Sequence, residues 1–344
     1  MTIEQNQSLT AYNTFGIEAN SKYFVEISSL DQLRELRQTS VFKENKKLII
    51  GGGSNLLFTQ NFDGLTIKNS LRGIDIVREK ETEIIVKAQA GEIWHQFVVW
   101  CIDKNYAGLE NLSLIPGLVG AAPMQNIGAY GVEIKDCFYQ LEAYDMESGN
   151  IVEFNLKDCD FGYRESVFKN KLKGKYFITS VSFRLTKLDS SKASYSFKVD
   201  YGDIKNTLSE MRVYELSLKA VSEAVCKIRA SKLPDPKNMG NAGSFFKNPT
   251  ISREKFEQLV LTYPVMPSYI QKDNRVKIPA GWLIEQCGWK GKVVGNTGSH
   301  KSQALVLVNY GHATGQEIWQ LAMDIQKSVQ EKFGITILPE VNVV

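Results

Sequence analysis

A chain of 344 residues with 43% hydrophobic and 23% charged residues has the composition of a globular protein with room for two or three domains, each with its own core. A net charge of +3, with no basic run interleaved with aromatics, argues against a nucleic-acid partner but leaves room for a local basic pocket that takes a phosphorylated small molecule. No apolar run approaches the roughly eighteen residues needed to cross a bilayer, and MTIEQNQSLTAYNTFG has neither a basic nor an apolar leader segment, so the expected location is cytoplasmic with no membrane partner.

Residues 23–27 alternate like a strand, and LDQLRELRQ at 30–38 has the 3.6-residue spacing of a short amphipathic helix with Ser29 as its cap. Apolar residues at 48–50 then run straight into Gly51, Gly52 and Gly53, followed by Ser54 and Asn55. Three consecutive glycines leave a row of amide N–H groups unobstructed, which suits a diphosphate, although a glycine cluster after a strand also serves as a plain turn. The segment is neither a GxGxxG fingerprint nor a Walker loop. GLTIKN, GIDIVR and TEIIVKAQA, up to residue 90, read as short strands, and residues 93–104 as a helix.

Residues 112–131, LSLIPGLVGAAPMQNIGAYG, break both patterns. Pro116 and Pro123 fix the chain direction, while Gly117, Gly120, Gly128 and Gly131 tolerate positive φ and let the backbone approach a ligand closely. The stretch is too apolar for disorder and too long for an ordinary connection, so it reads as a rigid wall against a flat, polar cofactor. Strands follow at 140–145, 151–155 and 176–185, the first two joined by a turn over ESGN at 147–150. Residues 191–208, polar and aromatic, read as a mobile loop carrying Tyr201. A helix over 216–230 is stopped by LPDP, and a third segment opens with NMGNAGSFFKNP. It continues through a helix at 252–262, a strand at 303–309 and a helix at 315–333 to the closing ITILPEVNVV. The odd, scattered cysteines without a CxxC pair predict reduced and mostly buried thiols, and the three distant histidines predict no metal site.

Four reactive groups sit beside specialised backbone: Arg164 in FGYRESVFK, Tyr201 on its loop, Ser244 in GSFF, and Glu340 after Pro339. Each alone has an ordinary explanation, as a surface ion pair, a helix cap or a solvated carboxylate. Their surroundings are more specific. GGGSNLLF, LIPGLVGAAPMQNIGAYGVE, CDFGYRESVFK, KLPDPK, GNAGSFFKNP, AGWLIEQCG and LPEV, in this order over nearly the whole chain, resemble the UDP-N-acetylenolpyruvoylglucosamine reductases of bacterial peptidoglycan synthesis. VDYGDI around Tyr201 resembles the branch of that family that closes a tyrosine loop over its substrate.

The resemblance implies an α+β protein with a two-subdomain FAD-binding domain of the vanillyl-alcohol-oxidase (PCMH) type over residues 1–65 and 66–210. An α+β substrate-binding domain over 211–344 follows, its C-terminal tail returning to the active site. It also implies non-covalent FAD, NADPH as hydride donor, and reduction of the enolpyruvyl ether of UDP-N-acetylglucosamine to UDP-N-acetylmuramate by a monomer. By the same resemblance Arg164 and Glu340 face the substrate carboxylate and Ser244 protonates the adjacent carbon. The chemistry agrees for Arg164, whose planar, always-charged fork binds two carboxylate oxygens as negative charge grows there. A glutamate beside that anion has to hold or share a proton, and a serine, being a weak acid, requires a basic carbanion-like intermediate.

Tyr201, Lys232 and Asn248 match family positions around the substrate diphosphate, and Tyr130, Tyr269, Lys290 and Gln303 match positions lining the nucleotide pocket. The resemblance also implies that FAD is wrapped by Gly51, Gly52, Gly53, Ser54, Asn55 and Leu56 at its diphosphate, and along the wall by Pro116, Gly117, Gly120, Pro123, Gln125, Asn126, Gly128, Ala129 and Gly131. Two residues after the glutamate some relatives carry arginine where this chain has Asn342, which implies a less positive carboxylate site or compensation by Lys290 or another lysine. A different flavin oxidoreductase of the same superfamily leaves the motifs of the substrate domain unexplained. Intact Arg164, Ser244 and Glu340 count against a nucleotide-sugar binding protein without turnover.

Overall fold

The computed structural model describes residues 1–189 and 194–344. Packing divides the chain into two compact units that do not follow chain order. Met1–Gln7, Ser21–Gly52 and Asp63–Ser231 form the first, and Ser8–Asn20, Gly53–Phe62 and Lys232–Val344 the second.

The first unit is built on two main sheets. In the smaller, strands Glu4–Ser8, Asn20–Ile27, Phe62–Asn69 and Lys47–Ile50 lie in that order, the last two parallel with Ile49 opposite Ile67. Helix Leu30–Gln38 turns Leu33 and Leu36 into a core with Val25, Ile27, Leu65 and Ile67, the face its spacing predicts. The Ser29 hydroxyl accepts from the Gln32 amide at 3.3 Å, as the expected cap.

The larger sheet is antiparallel, in the order Ile151–Asn155, Phe138–Asp145, Tyr176–Lys187, Glu83–Gln89 and Ile74–Glu79. Its central strand runs two residues past the expected end at 185, because Thr186 and Lys187 pair with Ala107 and Tyr106. Helix Trp94–Asp103 covers one face, its Trp94 and Phe97 rings lying 5.8 and 5.2 Å from that of Phe183.

In the second unit, Gly240–Ser244, Val306–Asn309, Thr297–Ser299 and Val293–Val294 make an antiparallel sheet. Helix Gly315–Phe333 packs on it, with Ile318, Leu321, Ala322, Ile325 and Val329 buried. A reciprocal capping box between Thr314 and Glu317 starts this helix, and Gly334, at φ 62°, ends it. A small sheet of Thr250–Ile251, Val276–Lys277 and Tyr269–Ile270, and a parallel pair of Leu56–Leu57 with Asn342–Val343, complete the unit.

Residues 191–208 do not form one loop, contrary to expectation. Residues 191–193 lie outside the described residues, and 194–203 have neither helix nor strand. Ile204–Glu210 is a helix that buries Ile204 and Leu208 against Ala224, Val225 and Ile228. The apolar spacing of Ile204 and Leu208 is helical, but so short a helix after a polar run has too few turns to declare itself. The expected strand at 303–309 shortens to Val306–Asn309.

All five cysteines are free thiols. Cys101, Cys137 and Cys159 are buried, and burial pushes the Cys159 thiol up to about 12. Among the described residues no helix is long and apolar enough to cross a membrane.

Candidate active site

In the first unit, the turn after Lys47–Ile50 backs onto the proline–glycine segment. A Cβ on Gly52 would lie 3.2 Å from the Gly117 Cα, and one on Gly120 would lie 2.5 Å from the Ala90 Cβ. Hydrogen bonds of 2.9 Å from Gly120 N to Ala90 O and from Val119 N to Glu92 O, with one of 3.1 Å from Trp94 N to Gly117 O, fix this wall. It is not bare loop: Val119–Ala121 and Pro123–Gln125 are single turns of 3-10 helix, and Gly128–Ala129 pairs with Val132–Glu133 as a small hairpin.

The tip of that hairpin is Tyr130 and Gly131, at φ 51° and 80°, the type I′ geometry that matches strand twist. For a residue with a side chain this conformation costs roughly 1–2 kcal/mol, and Leu114, Asn126 and Arg164 share it at φ 57°, 45° and 57°. Asn126 braces the wall: its Nδ2 donates to Glu133 Oε2 at 2.9 Å and Gly162 O at 3.0 Å, and its Oδ1 accepts from Lys135 N at 3.2 Å. Arg164 Nη2 donates to Gly128 O at 2.9 Å, with the guanidinium 5.6 Å from the centre of the Tyr163 ring. Tyr201 lies against the hairpin tip, 3.3 Å from where a Cβ on Gly131 would stand. The structure thus brings Arg164 to Gly128, and Tyr201 to Tyr130 and Gly131.

Two side chains that hold this wall escaped the sequence reading. Arg229, on helix Leu218–Lys232, donates from Nε to Leu114 O at 3.2 Å, and His95 Nδ1 accepts from Leu114 N at 3.0 Å. Together they pin a left-handed leucine at the head of the wall. Burial holds the Arg229 guanidinium below its ordinary range, the Tyr130 phenol opposes this, and the Arg164 charge adds to it. In the sequence Arg229 resembles any arginine on the polar face of a helix.

Burial, with help from the Arg229 charge, lowers the pKa of His95 from 6.5. The unfolded chain therefore takes up this proton first as pH falls. The stabilisation is fully present above about pH 6.5 and is lost as pH falls through the depressed folded value. His300, lowered by burial and by Lys301, acts with the same sign. Melting temperature is expected to drop between about pH 7.5 and 5 and to drop less in His95→Gln. An unchanged slope in the variant would remove His95 from this account.

In the second unit the C-terminal tail meets the serine strand. Ser244 lies opposite Val306 after a slip of register from Asn241, with Gly243 at φ 70° and the Asn241 Oδ1 accepting from Gly243 N at 3.0 Å. This bulge re-aims Ser244 relative to a regular strand. Phe245 and Phe246 are buried beside it, their rings 5.2 Å apart. Glu340, 9% exposed, donates from its amide to Phe245 O at 2.7 Å, and Lys247 N donates to Leu338 O at 2.9 Å.

The glycine-turn side of this unit is tied to the same tail. Asn55 Nδ2 donates to Glu340 O at 3.3 Å, and Asn342 donates to Asn55 O from its amide at 3.1 Å and from Nδ2 at 3.2 Å. Asn342 thus braces the tail against the Asn55 segment. Gly53, at φ 65°, is required by its own chain, since a Cβ there would fall 1.9 Å from Tyr12 O. Leu56 pairs with Asn342.

Asn248 Oδ1 accepts from the Ala280 amide at 2.9 Å, and Gln303 Oε1 lies 3.2 Å from where a Cβ on Gly281 would stand. Both therefore meet the first turn of helix Ala280–Gln286. Tyr269 is half exposed opposite Lys277, Lys290 pairs with Glu285 at 2.9 Å, and Lys232 ends its helix. Among the described residues no group of three His, Cys, Asp or Glu side chains could hold a metal ion.

The residues present fit a dinucleotide cofactor. Gly51 and Gly52 put no side chain between the turn and the wall, and a Cβ on Gly52 would be crowded by the Gly117 Cα. Residues 21–155 match a family model described as an FAD binding domain, and residues 235–344 one described as UDP-N-acetylenolpyruvoylglucosamine reductase, C-terminal domain. Among curated proteins, the chain is 51% identical over 344 residues to the UDP-N-acetylenolpyruvoylglucosamine reductase of Flavobacterium johnsoniae, covering 100% of both. It is 47% identical to that of Amoebophilus asiaticus, again covering 100% of both, and 45% identical to that of Bacteroides fragilis, covering 99% of each. The crystal structure of the corresponding reductase from Thermus caldophilus shares the fold, with a TM-score of 0.67 at 20% identity, covering 100% of this chain and 99% of that one.

Proposed function

Because the chain belongs to the UDP-N-acetylenolpyruvoylglucosamine reductase family, we propose that it reduces the enolpyruvyl ether of UDP-N-acetylglucosamine to UDP-N-acetylmuramate, with NADPH as the source of the hydride. The observation that carries the reading is the tail that sets Glu340 on Phe245, next to Ser244, in a chain 51% identical throughout to such a reductase.

FAD, held without a covalent bond, supplies the hydride chemistry at the vinyl carbon. Arg164, its fork steadied on Gly128, binds the substrate carboxylate and meets the negative charge that grows there. Glu340 holds a proton toward the same carboxylate, where its burial keeps water away. The Ser244 hydroxyl, aimed by the bulge at Gly243, delivers a proton to the adjacent carbon, so that hydride and proton together saturate the double bond. Lys232, Asn248 and Tyr201 take the diphosphate, and Tyr130, Tyr269, Lys290 and Gln303 line the nucleotide pocket. Residues 1–65 and 66–210 hold the cofactor and 211–344 the substrate. The chain acts as a cytoplasmic monomer on small molecules alone. Because Lys290 already pairs with Glu285, Asn342 leaves the carboxylate site with less positive charge than an arginine would.

Anaerobic addition of NADPH to the FAD-loaded protein is expected to bleach the flavin band, and enolpyruvyl-UDP-N-acetylglucosamine to restore it with formation of the saturated product. A reduced flavin that ignores this substrate would overturn the proposal.

A further inference from the structure

Glu110–Leu112 is one turn of 3-10 helix at the head of the glycine-rich wall, and both Glu110 and Asn111 are 1% exposed. The Asn111 amide spends both hydrogens on main-chain carbonyls from separate segments: Nδ2 donates to Tyr130 O at 3.1 Å and to Lys198 O at 2.7 Å. The first carbonyl belongs to the left-handed tip of the hairpin, and the second lies three residues before Tyr201. The Asn111 Oδ1 is buried with no hydrogen-bond partner among the described residues. A buried acceptor left unsatisfied opposes folding, so this asparagine is not accounted for by its own polar balance.

Its neighbour anchors the same segment. The Tyr195 hydroxyl donates to one Glu110 carboxylate oxygen, while the other accepts from Gly108 N at 2.9 Å. Tyr195 and Phe197, ring centres 5.2 Å apart, pack on the core of the larger sheet. Burial and the Glu110 carboxylate push the Tyr195 phenol well above its ordinary range. Residues 195–198 are thus pinned at both ends, and Tyr201 follows directly against Gly131.

We propose that Asn111, supported by the Glu110–Tyr195 bond, is a positioning residue that ties the base of the Tyr201 segment to the Tyr130 hairpin and so fixes the point from which Tyr201 closes on the nucleotide diphosphate end of the substrate. The identity of the clamped ligand rests on the reductase reading above; the tie does not. A fully mobile tyrosine segment would be ordered anew at each binding event, whereas one pinned up to Lys198 leaves only its last few residues to move.

The test compares the FAD-loaded wild type with Asn111→Ala and with Tyr195→Phe, by hydrogen exchange over the hairpin at 128–133 and the helix Ile204–Glu210, which flank the tie, and by steady-state kinetics with the enolpyruvyl nucleotide. Both variants are expected to lose roughly tenfold or more of the amide protection in these two elements. KM should rise about tenfold while kcat changes about twofold or less, since the chemistry-bearing residues are untouched. Unchanged protection and KM would overturn the proposal, as would an equal fall in kcat and rise in KM with protection lost across the whole larger sheet, the mark of a general structural role. Should Asn111→Ala fail to fold, Tyr195→Phe decides by the same two readings. A wild type that leaves the nucleotide unreduced would sink the reductase reading, and the exchange result would still decide the tie.

Discussion

Ser244→Ala is expected to leave flavin reduction by NADPH within about twofold of wild type and to slow reoxidation by the enolpyruvyl substrate by about 10³-fold. The asymmetry follows from what the substitution removes. The bulge is held by backbone and by Asn241, whose Oδ1 accepts from Gly243 N at 3.0 Å and whose Nδ2 donates to Pro234 O at 3.1 Å and Met239 O at 2.9 Å. Phe245 keeps its carbonyl bond to the Glu340 amide at 2.7 Å, so the tail stays in place. Only the hydroxyl is lost, and with it a proton needed in the second half-reaction alone. Rapid-mixing absorbance of each half-reaction makes the measurement. Comparable losses in both would mean that Ser244 shapes the site and is not the donor.

Arg164→Lys retains the charge and should still lower the rate of the second half-reaction by about 10²-fold. The guanidinium of Arg164 is anchored at one nitrogen by Gly128 O at 2.9 Å, which orients the rest of the planar fork. An ammonium offers one point charge that can serve the Gly128 carbonyl or a carboxylate, without the paired geometry that two carboxylate oxygens accept. Because negative charge grows on the carboxylate only as the hydride arrives, the loss should appear in kcat more than in KM. Retention of the rate within about threefold would mean that another cation meets the charge. Arg229 is the first to examine, since its guanidinium already feels the Arg164 charge.

Much of the fold was legible because its signals are local. Ser29 before LDQLRELRQ declares that helix within a few residues, because caps and periodicity act between near neighbours. The glycine turn after Lys47–Ile50 and the proline–glycine wall were visible for the same reason: glycine and proline restrict or free their own backbone wherever they stand. The seven motifs that mark the family are likewise read directly from the order of residues.

What the tertiary structure decided lies in contacts whose partners are far apart in sequence. Asn55 and Glu340 are 285 residues apart, yet their bond helps to set the glutamate beside the serine strand. Nothing in the spacing of either segment records it. AY-G does not read as a hairpin turn, and Tyr130 holds its left-handed backbone where Asn111 binds its carbonyl from 19 residues away. Gly53 stands in the expected cofactor turn, and a carbonyl distant in sequence, that of Tyr12, also leaves no room for a side chain there. By itself the sequence determined most of the longer helices and strands, the reactive residue types and the family, since these depend on composition and short-range spacing. Only the folded chain decided which side chains hold those residues in place, as with Arg229 and His95 on Leu114, because that depends on distances that chain order does not contain.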